Sequence, residues 1–291
     1  MKRNRRQALV GVALMLPSLI GVTFMTLCPL AKTILRSFFS GLGWGRFAGF
    51  KNFSGLINNE AFRLALRNTG RFYLIALPLI VILPLLMALV FSGDDRIDRV
   101  FKGTMYLTIL LPTASLMTVI SLMFSSGGLL SGAAGLLFGV DADKLYDSDF
   151  AFILLVALFV YKYGGFNFLI YKIALARVPR EYYEEAMISG AGRFRCAWYI
   201  TLPSILPVFP VTLMLSLLNS YKIYREAYLI GGNYPDDSIY LVQHFISNNF
   251  INMNYGRLCA VTTLIVLAAV GLAAIVFVCL RFAGREKREK E

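Results

Sequence analysis

The sequence predicts an all-α polytopic membrane protein with six transmembrane helices, and three observations carry that expectation. Of its 291 residues, 57% are apolar, against ~45 to 50% in ordinary soluble domains. Only 16% are charged, and the mean hydropathy is +0.65. The apolar residues also gather into runs long enough to cross a bilayer, which takes about 20 residues per helix. Six such spans would use about 120 residues and leave the rest for connections. A disordered chain, a coiled coil and an outer-membrane barrel, whose strands alternate in polarity, are all excluded.

The first run, Ala8 to Leu30, follows the basic head Met1 to Arg6 and so looks like a secretory signal. A signal core is only about 7 to 15 residues and ends at a small-residue cleavage site, whereas this run spans a bilayer and carries Pro17 and Pro29. It is read as a permanent span, and residues 1–30 form the first segment. An external segment, 31–71, follows, in which Phe50 to Thr69 sets Phe53, Leu56, Phe62 and Leu66 among polar residues like a short amphipathic element. The core, 72–291, holds spans at about Phe72–Phe91, Gly103–Phe124, Phe150–Ile173, Leu206–Leu229 and Arg257–Leu280, then a tail, 281–291. Pro78, Pro84, Pro112 and Pro210 fall inside spans, where neighbouring helices can satisfy the freed backbone groups.

The formal charge of +12 is not gathered into a nucleic-acid-binding patch; topology accounts for it. With six spans both termini share one side. The head, the second and fourth connections and the tail hold 17 Lys and Arg, against nine on the other side, counting Lys144 and Arg257. By the positive-inside rule both termini are cytoplasmic. Cys28, Cys196, Cys259 and Cys279 share no metal or redox spacing and read as small hydrophobes. The sole histidine, His244, lies in the external stretch Gly231 to Tyr255 and reads as a surface or interface residue. No metal site is expected. A secondary transporter would carry a buried carboxylate in a span, and none stands out well inside an apolar core.

The connection between the fourth and fifth spans runs to about 30 residues, more than an antiparallel helix pair needs. In it, Pro179 can open a helix whose Glu181, Glu184 and Glu185 complement the positive end of its dipole. Tyr183, Ala186 and Met187 share one side of that helix. Gly190, Ala191 and Gly192 make a corner, and a second helical stretch, Phe194 to Ile200, ends at Leu202-Pro203.

At residues 178–203 the chain resembles the permease subunits of bacterial binding-protein-dependent carbohydrate ABC importers. The larger-type sugar permease of the maltose, glycerol-phosphate and multiple-sugar class fits best. The cytoplasmic signature of that family, the EAA loop, reads E-A-A, three residues, G, then about a dozen more to an apolar-x-L-P ending. Glu184, Glu185 and Ala186 take the E-A-A positions, Gly190 the glycine, and Ile200, Leu202 and Pro203 the ending. Glu185 replaces the usual alanine, and Ser189 the aspartate that commonly precedes the glycine. Weaker matches run along the chain: Leu16-Pro17, Ser37-Phe38-Phe39, Phe50-Lys-Asn-Phe53, Asn68-Thr69, Leu111-Pro112 and Gly231-Gly232-Asn-Tyr-Pro235.

The resemblance implies a heterodimer with a second permease subunit, two cytoplasmic ABC ATPases, an external solute-binding protein and a bacterial cytoplasmic membrane. ATP and Mg would be bound by the ATPases, and this chain would need no cofactor. It also lacks a Walker-A pattern of its own, so it would be no enzyme. The segment Glu181 to Gly192 with Leu202 and Pro203 would couple ATPase closure to the fourth and fifth spans. Polar residues in those spans become candidates for a sugar path: Lys162, Tyr163, Asn167 and Tyr171 beside Gly164-Gly165, and Ser216, Asn219, Ser220, Lys222, Tyr224 and Arg225. Helical spacing puts Ser216, Asn219 and Lys222 on one face. The alternative for these residues is hydrogen bonding between helices, with Lys222 and Arg225 reaching to the surface. Lys162, Lys222 and Arg225 together would favour an anionic, uronic oligosaccharide.

Overall fold

The computed structural model describes residues 2–41, 45–91, 96–124, 128 and 149–288. Lys144 and Lys290 of the charge count, and most of the connection between the third and fourth expected spans, lie outside the described residues. The chain begins with α1 (Lys2–Val22), a π-helical turn (Thr23–Leu27) and α2 (Cys28–Arg36). A two-stranded antiparallel hairpin follows, β1 (Phe39–Ser40) with β2 (Arg46–Phe47), in register Phe39 to Phe47. Then come α3 (Lys51–Ile57), α4 (Glu60–Val90), α5 (Arg96–Leu110), α6 (Thr113–Phe124) and α7 (Asp149–Leu175). Next are α8 (Arg180–Ile188), α9 (Arg193–Cys196), α10 (Leu202–Ile205), α11 (Phe209–Ser220) and α12 (Tyr224–Gly231). The chain closes with α13 (Val242–Ile251) and α14 (Tyr255–Arg288).

Among the described residues, four helical runs are long and apolar enough to cross a membrane: Gly11–Arg36, Glu60–Val90, Asp149–Leu175 and Phe194–Gly231. The third expected span is instead a bent pair, with α5 and α6 meeting at 101°. Pro112 stands at the break; a proline disfavours helical geometry in the residue before it, here Leu111, and ends the run. Tyr255–Gly271 is a shorter apolar helix. The second span's helix starts at Glu60, about three turns before the expected Phe72, because Asn59 accepts the Phe62 N–H through Oδ1 at 3.0 Å and so caps α4.

Two compact units make up the chain, residues 1–63 with 245–291 and residues 64–244. In the first, Asn52 Nδ2 donates to Ser37 O at 2.8 Å and to Phe39 O at 2.9 Å, and Arg36 lies over the Tyr255 ring at 5.1 Å. This fixes the hairpin and α3 against the end helices of the same unit.

The second unit holds the main core. Along α4, Ala65, Phe72, Ala76 and Ile80 are fully buried at steps of seven and four residues, one helical face. From Phe72 to Ile80 that face packs with Ala151, Leu155, Phe159 and Phe168 of α7, and Phe72 meets Phe159 edge-on at 5.3 Å. Gly165 of α7 lies against α5 so closely that an added Cβ would fall 2.3 Å from Met105 O and 2.5 Å from Thr108 Oγ1. Its neighbour Gly164 has room, with Pro84 Cγ at 3.5 Å. Small residues let backbones approach where lipid offers no hydrophobic drive between helices.

Gly165→Ala should therefore cost about 1 to 3 kcal/mol by forcing α5 and α7 apart. Gly164→Ala should be neutral or stabilising, since alanine gains about 1 kcal/mol of helix propensity. Thermal unfolding of the two variants in detergent checks the contrast.

Candidate functional site

The segment between α7 and the fifth helical run folds as a helix with a defined stop. Pro179 occupies the cap position of α8 (φ −59°, ψ 137°), with Glu181 in the first turn. At the other end Gly190 has φ +79°, the left-handed region that glycine enters without a Cβ penalty. Gly190 N–H donates to Met187 O at 3.0 Å and Ala191 N–H to Ala186 O at 2.9 Å. These are the paired bonds of a Schellman ending, which satisfy the last carbonyls and reverse the chain. Gly192 has no positive φ; its carbonyl accepts the Cys196 N–H at 3.1 Å as α9 begins. The corner thus needs one glycine.

Leu202-Pro203 does not end the second stretch, as expected from the sequence. It lies within the continuous run from Phe194 to Gly231, where a π-helical turn (Ala197–Thr201) passes into α10. Pro203, Pro207 and Pro210 each stand at the first or second position of a short helix. A proline lacks the N–H that would continue the preceding ladder, so the run changes between α, 3-10 and π geometry instead of stopping. The Tyr183 hydroxyl shares a 3.0 Å hydrogen bond with Thr201 Oγ1, fastening α8 to this run. Glu181, Glu184, Glu185, Ser189 and Gly190 are exposed and Ala186 is half-buried. Tyr182, Met187, Ile188 and Phe194 expose large apolar surface beside them, 88% of Ile188. An apolar patch with a polar rim marks an interaction surface.

The polar residues of the expected path divide into two groups. Asn167 is buried and donates through Nδ2 to Ile80 O at 2.9 Å and to Ser216 Oγ at 2.8 Å. Tyr171 shares a 2.8 Å bond with Thr212 Oγ1, while Ser216 donates to Thr212 O and Ser220 to Leu217 O. Thr212, Ser216 and Ser220 form one buried face, at four-residue steps. Asn219 is not on it: its Oδ1 accepts from exposed Lys222 at 3.1 Å. The expected common face of Ser216, Asn219 and Lys222 is therefore split. Exposed Arg225 and half-buried Tyr224 follow on α12.

Sequence reasoning missed Glu226. It is 1% exposed, and its Oε1 accepts from Lys162 Nζ at 2.7 Å and from Thr113 Oγ1 at 3.1 Å; Lys162 also donates to Thr113. The pair ties α6, α7 and α12 together, and Tyr163 flanks it with its ring 5.3 Å from Lys162 Nζ. Lys162 is thus not a free cation for an anionic sugar, and the spans do contain a buried carboxylate. The sequence signal was present: Lys162 inside an apolar run demands a counter-charge, and Glu226 is the acidic residue within the expected fifth span, Leu206–Leu229.

His244, expected at a surface or an interface, is buried. Its Nδ1 accepts the Leu241 N–H at 3.2 Å, the third helical residue reaching back to the residue before α13, as in a capping box. The ring lies between Tyr224 (4.8 Å) and Tyr240 (5.7 Å). Burial pushes its pKa down to about 4. Among the described residues no group of three or more His, Cys, Asp or Glu could hold a metal ion.

Residues 80–286 match the model of the family described as binding-protein-dependent transport system inner membrane component. The chain belongs to that family, the multi-pass permease subunits of ABC transporters, which are not themselves the enzymes. It is 27% identical over 283 residues to the arabinooligosaccharide transport permease AraP of Bacillus subtilis, covering 94% of this chain and 88% of that one. To the lactose transport permease LacF of Rhizobium radiobacter it is 25% identical over 287 residues, covering 94% and 93%. To the sulfoquinovosyl glycerol permease SmoG of Agrobacterium fabrum it is 26% identical over 267 residues, covering 87% and 85%. Its fold is that of a chain in the crystal structure of a bacterial ABC transporter that imports the acidic polysaccharide alginate. The TM-score is 0.79 at 20% identity, over 99% of this chain and 98% of that one.

Two outcomes follow from the charges. Lys162→Met alone should destabilise by about 3 to 5 kcal/mol, because it strands a buried carboxylate, and Lys162→Met with Glu226→Gln should recover most of that loss; chemical unfolding in detergent reads both. For His244, the folded pKa lies below the ordinary 6.5, so its contribution is full above pH 6.5 and is lost as pH falls toward 4. The loss should reach roughly 3 kcal/mol, and His244→Gln should flatten that part of the pH profile of melting temperature.

Proposed function

We propose that this chain is the larger-type transmembrane subunit of an ABC importer carrying a sugar or oligosaccharide across the bacterial cytoplasmic membrane. In this reading it has six spans with both termini in the cytoplasm, α5 and α6 together making the third. An external solute-binding protein delivers the sugar, a second permease subunit forms the other half of the path, and two cytoplasmic ATPases hold ATP and Mg. Segment 178–203 is the coupling loop. The named specificities of the relatives support the sugar class.

The observation that carries the mechanism is the Schellman ending of α8 at Gly190, placed beside exposed Tyr182, Met187 and Ile188. A short helix stopped at a fixed corner, with an apolar patch on its surface, suits docking into a partner and moving as a rigid body. Glu181, Glu184, Glu185, Ala186, Ser189, Ala191, Gly192, Leu202 and Pro203 are the contact and framing residues of that loop. For the path, Asn219, Lys222, Arg225 and Tyr221 are the groups whose side chains remain accessible. Lys162, Asn167, Tyr171, Ser216 and Ser220 shape it from behind. The Lys162–Glu226 pair favours a neutral sugar over a uronic one, because it removes one of the three cations that an anionic substrate would meet.

At Gly190 an added Cβ meets nothing within 4 Å, so a side chain there would strain the left-handed backbone by about 1 to 2 kcal/mol and project toward a docked partner. Gly190→Trp should insert normally but lose the co-purifying ATPase and uptake of labelled lactose, arabinotriose or trigalacturonate, whichever the wild-type complex carries. Gly190→Ala should lose much less. Normal uptake and assembly in Gly190→Trp would overturn the coupling-loop reading, and uptake independent of a solute-binding protein would overturn the importer class.

A further inference from the structure

A second charged cluster closes the end of α7 that leads into α8. Lys172 Nζ lies 3.0 Å from Asp98 Oδ1, and Lys102 Nζ lies 2.5 Å from Asp98 Oδ2. Lys172 also donates to the backbone carbonyl of Phe91, just past the end of α4. Side-chain exposure is 10% for Lys172 and 3% for Asp98, so this is not a solvated surface pair. Aromatic rings reinforce it: Phe91 stacks on Phe101 at 4.0 Å, and Phe101 meets Phe168 of α7 edge-on at 5.3 Å. One lysine of α7 thus holds the ends of both α4 and α5.

What makes the cluster more than a staple is what comes next in the chain. Only residues 176–179 separate α7 from α8, and they form a bonded turn: Ala176 N–H to Lys172 O, Arg177 N–H to Ala174 O, and Val178 N–H to Leu175 O, at 3.0 to 3.2 Å. A displacement of α8 therefore reaches Lys172 through a short connection with its hydrogen bonds made, whereas on its other side α8 leads into the glycine corner. Energetic coupling needs such a contiguous set of contacts, though contiguity alone does not demonstrate it.

We propose that Asp98 and Lys172 are positioning residues of the transport cycle, a latch that passes movement of the coupling helix from α7 into α4 and α5. This rests on the coupling-loop reading of 178–203, and the test separates the two. The full complex, with its ATPases, second permease and solute-binding protein, is reconstituted in proteoliposomes with Lys172→Met, Lys172→Arg, and Lys172→Met combined with Asp98→Asn. The probe is the sugar that wild type carries among labelled lactose, arabinotriose and trigalacturonate, and the readout is sugar imported per ATP hydrolysed.

The double variant removes the buried charge that a lone Lys172→Met would leave short of a partner, so it should assemble and melt as wild type does. Its sugar-to-ATP ratio should still fall by about fivefold or more, the lower range of coupling between distinct sites, with ATP hydrolysis retained. Lys172→Arg, which keeps the charge and the donor, should hold a ratio near that of wild type. A wild-type ratio in the double variant would overturn the latch, as would a loss of assembly that the double variant does not repair or a fall in ratio that Lys172→Arg shares. If Gly190→Trp, run alongside, leaves the ATPase bound and coupled, the coupling-loop reading itself fails. If only Gly190→Trp uncouples, the latch alone falls.

Discussion

In the interior of a bilayer no water completes a hydrogen bond, so each polar side chain on a spanning helix must find its partner within protein. In α7 four residues carry that demand, and they distribute it over different neighbours. Asn167 takes Ile80 of α4 and Ser216 of α11; Tyr171 takes Thr212 of α11. Lys162 takes Thr113 of α6 and Glu226 of α12, and Lys172 takes Asp98 of α5 and the Phe91 carbonyl. Turning or sliding α7 by one residue would strand several groups at once. Apolar surface cannot supply this specificity, because lipid solvates a leucine about as well as another leucine does.

The same demand explains why the two sides of the coupling segment differ mechanically. Before it stands α7, 27 residues without an internal proline and keyed on several sides. After it comes the run from Phe194 to Gly231, in which Pro203, Pro207 and Pro210 each open a new short helix. Every proline removes a ladder bond, and helices bend where the ladder is interrupted. One side of α8 is thus a stiff rod and the other a series of joints, fastened near its base by the bond between Tyr183 and Thr201. In the proposed importer a rigid input would move the rod as a body and leave the jointed run to adapt around it.

Much of this architecture was legible in the sequence, because its signals are local. Hydropathy located the apolar runs, and Pro179 and Gly190 marked the ends of α8. What escaped was pairing between distant segments. Periodicity puts Ser216, Asn219 and Lys222 within one sector of an ideal helix, but the burial of Thr212, Ser216 and Ser220 sets the inward face, and that face depends on where α7 lies. Glu226 was overlooked because it stands at the end of a span beside Arg225, where a solvated pair is the ordinary reading. Its partner is 64 residues away. His244 hid for a similar reason: nothing in its neighbours along the chain shows that Tyr224 folds over it. Leu111-Pro112 was visible as a motif, but the 101° turn there depends on packing as well as on the proline.

The pairing of Lys162 also bears on where a sugar could be recognised. Binding a hydroxylated substrate requires donors and acceptors that are free before it arrives, since exchanging one protein hydrogen bond for another gains little. Within α7 and α11 the strongest polar candidates already have partners in the chain, among them Asn167, Tyr171 and Ser216. The groups left accessible near them are Tyr221, Lys222 and Arg225, on an outward-facing part of the run. A path lined by that face is open on one side, and closing it requires another protein surface. The heterodimer of the proposed importer supplies that surface, so substrate selection in this subunit would fall to the few side chains turned toward its partner, while the buried polar groups keep the helices in register.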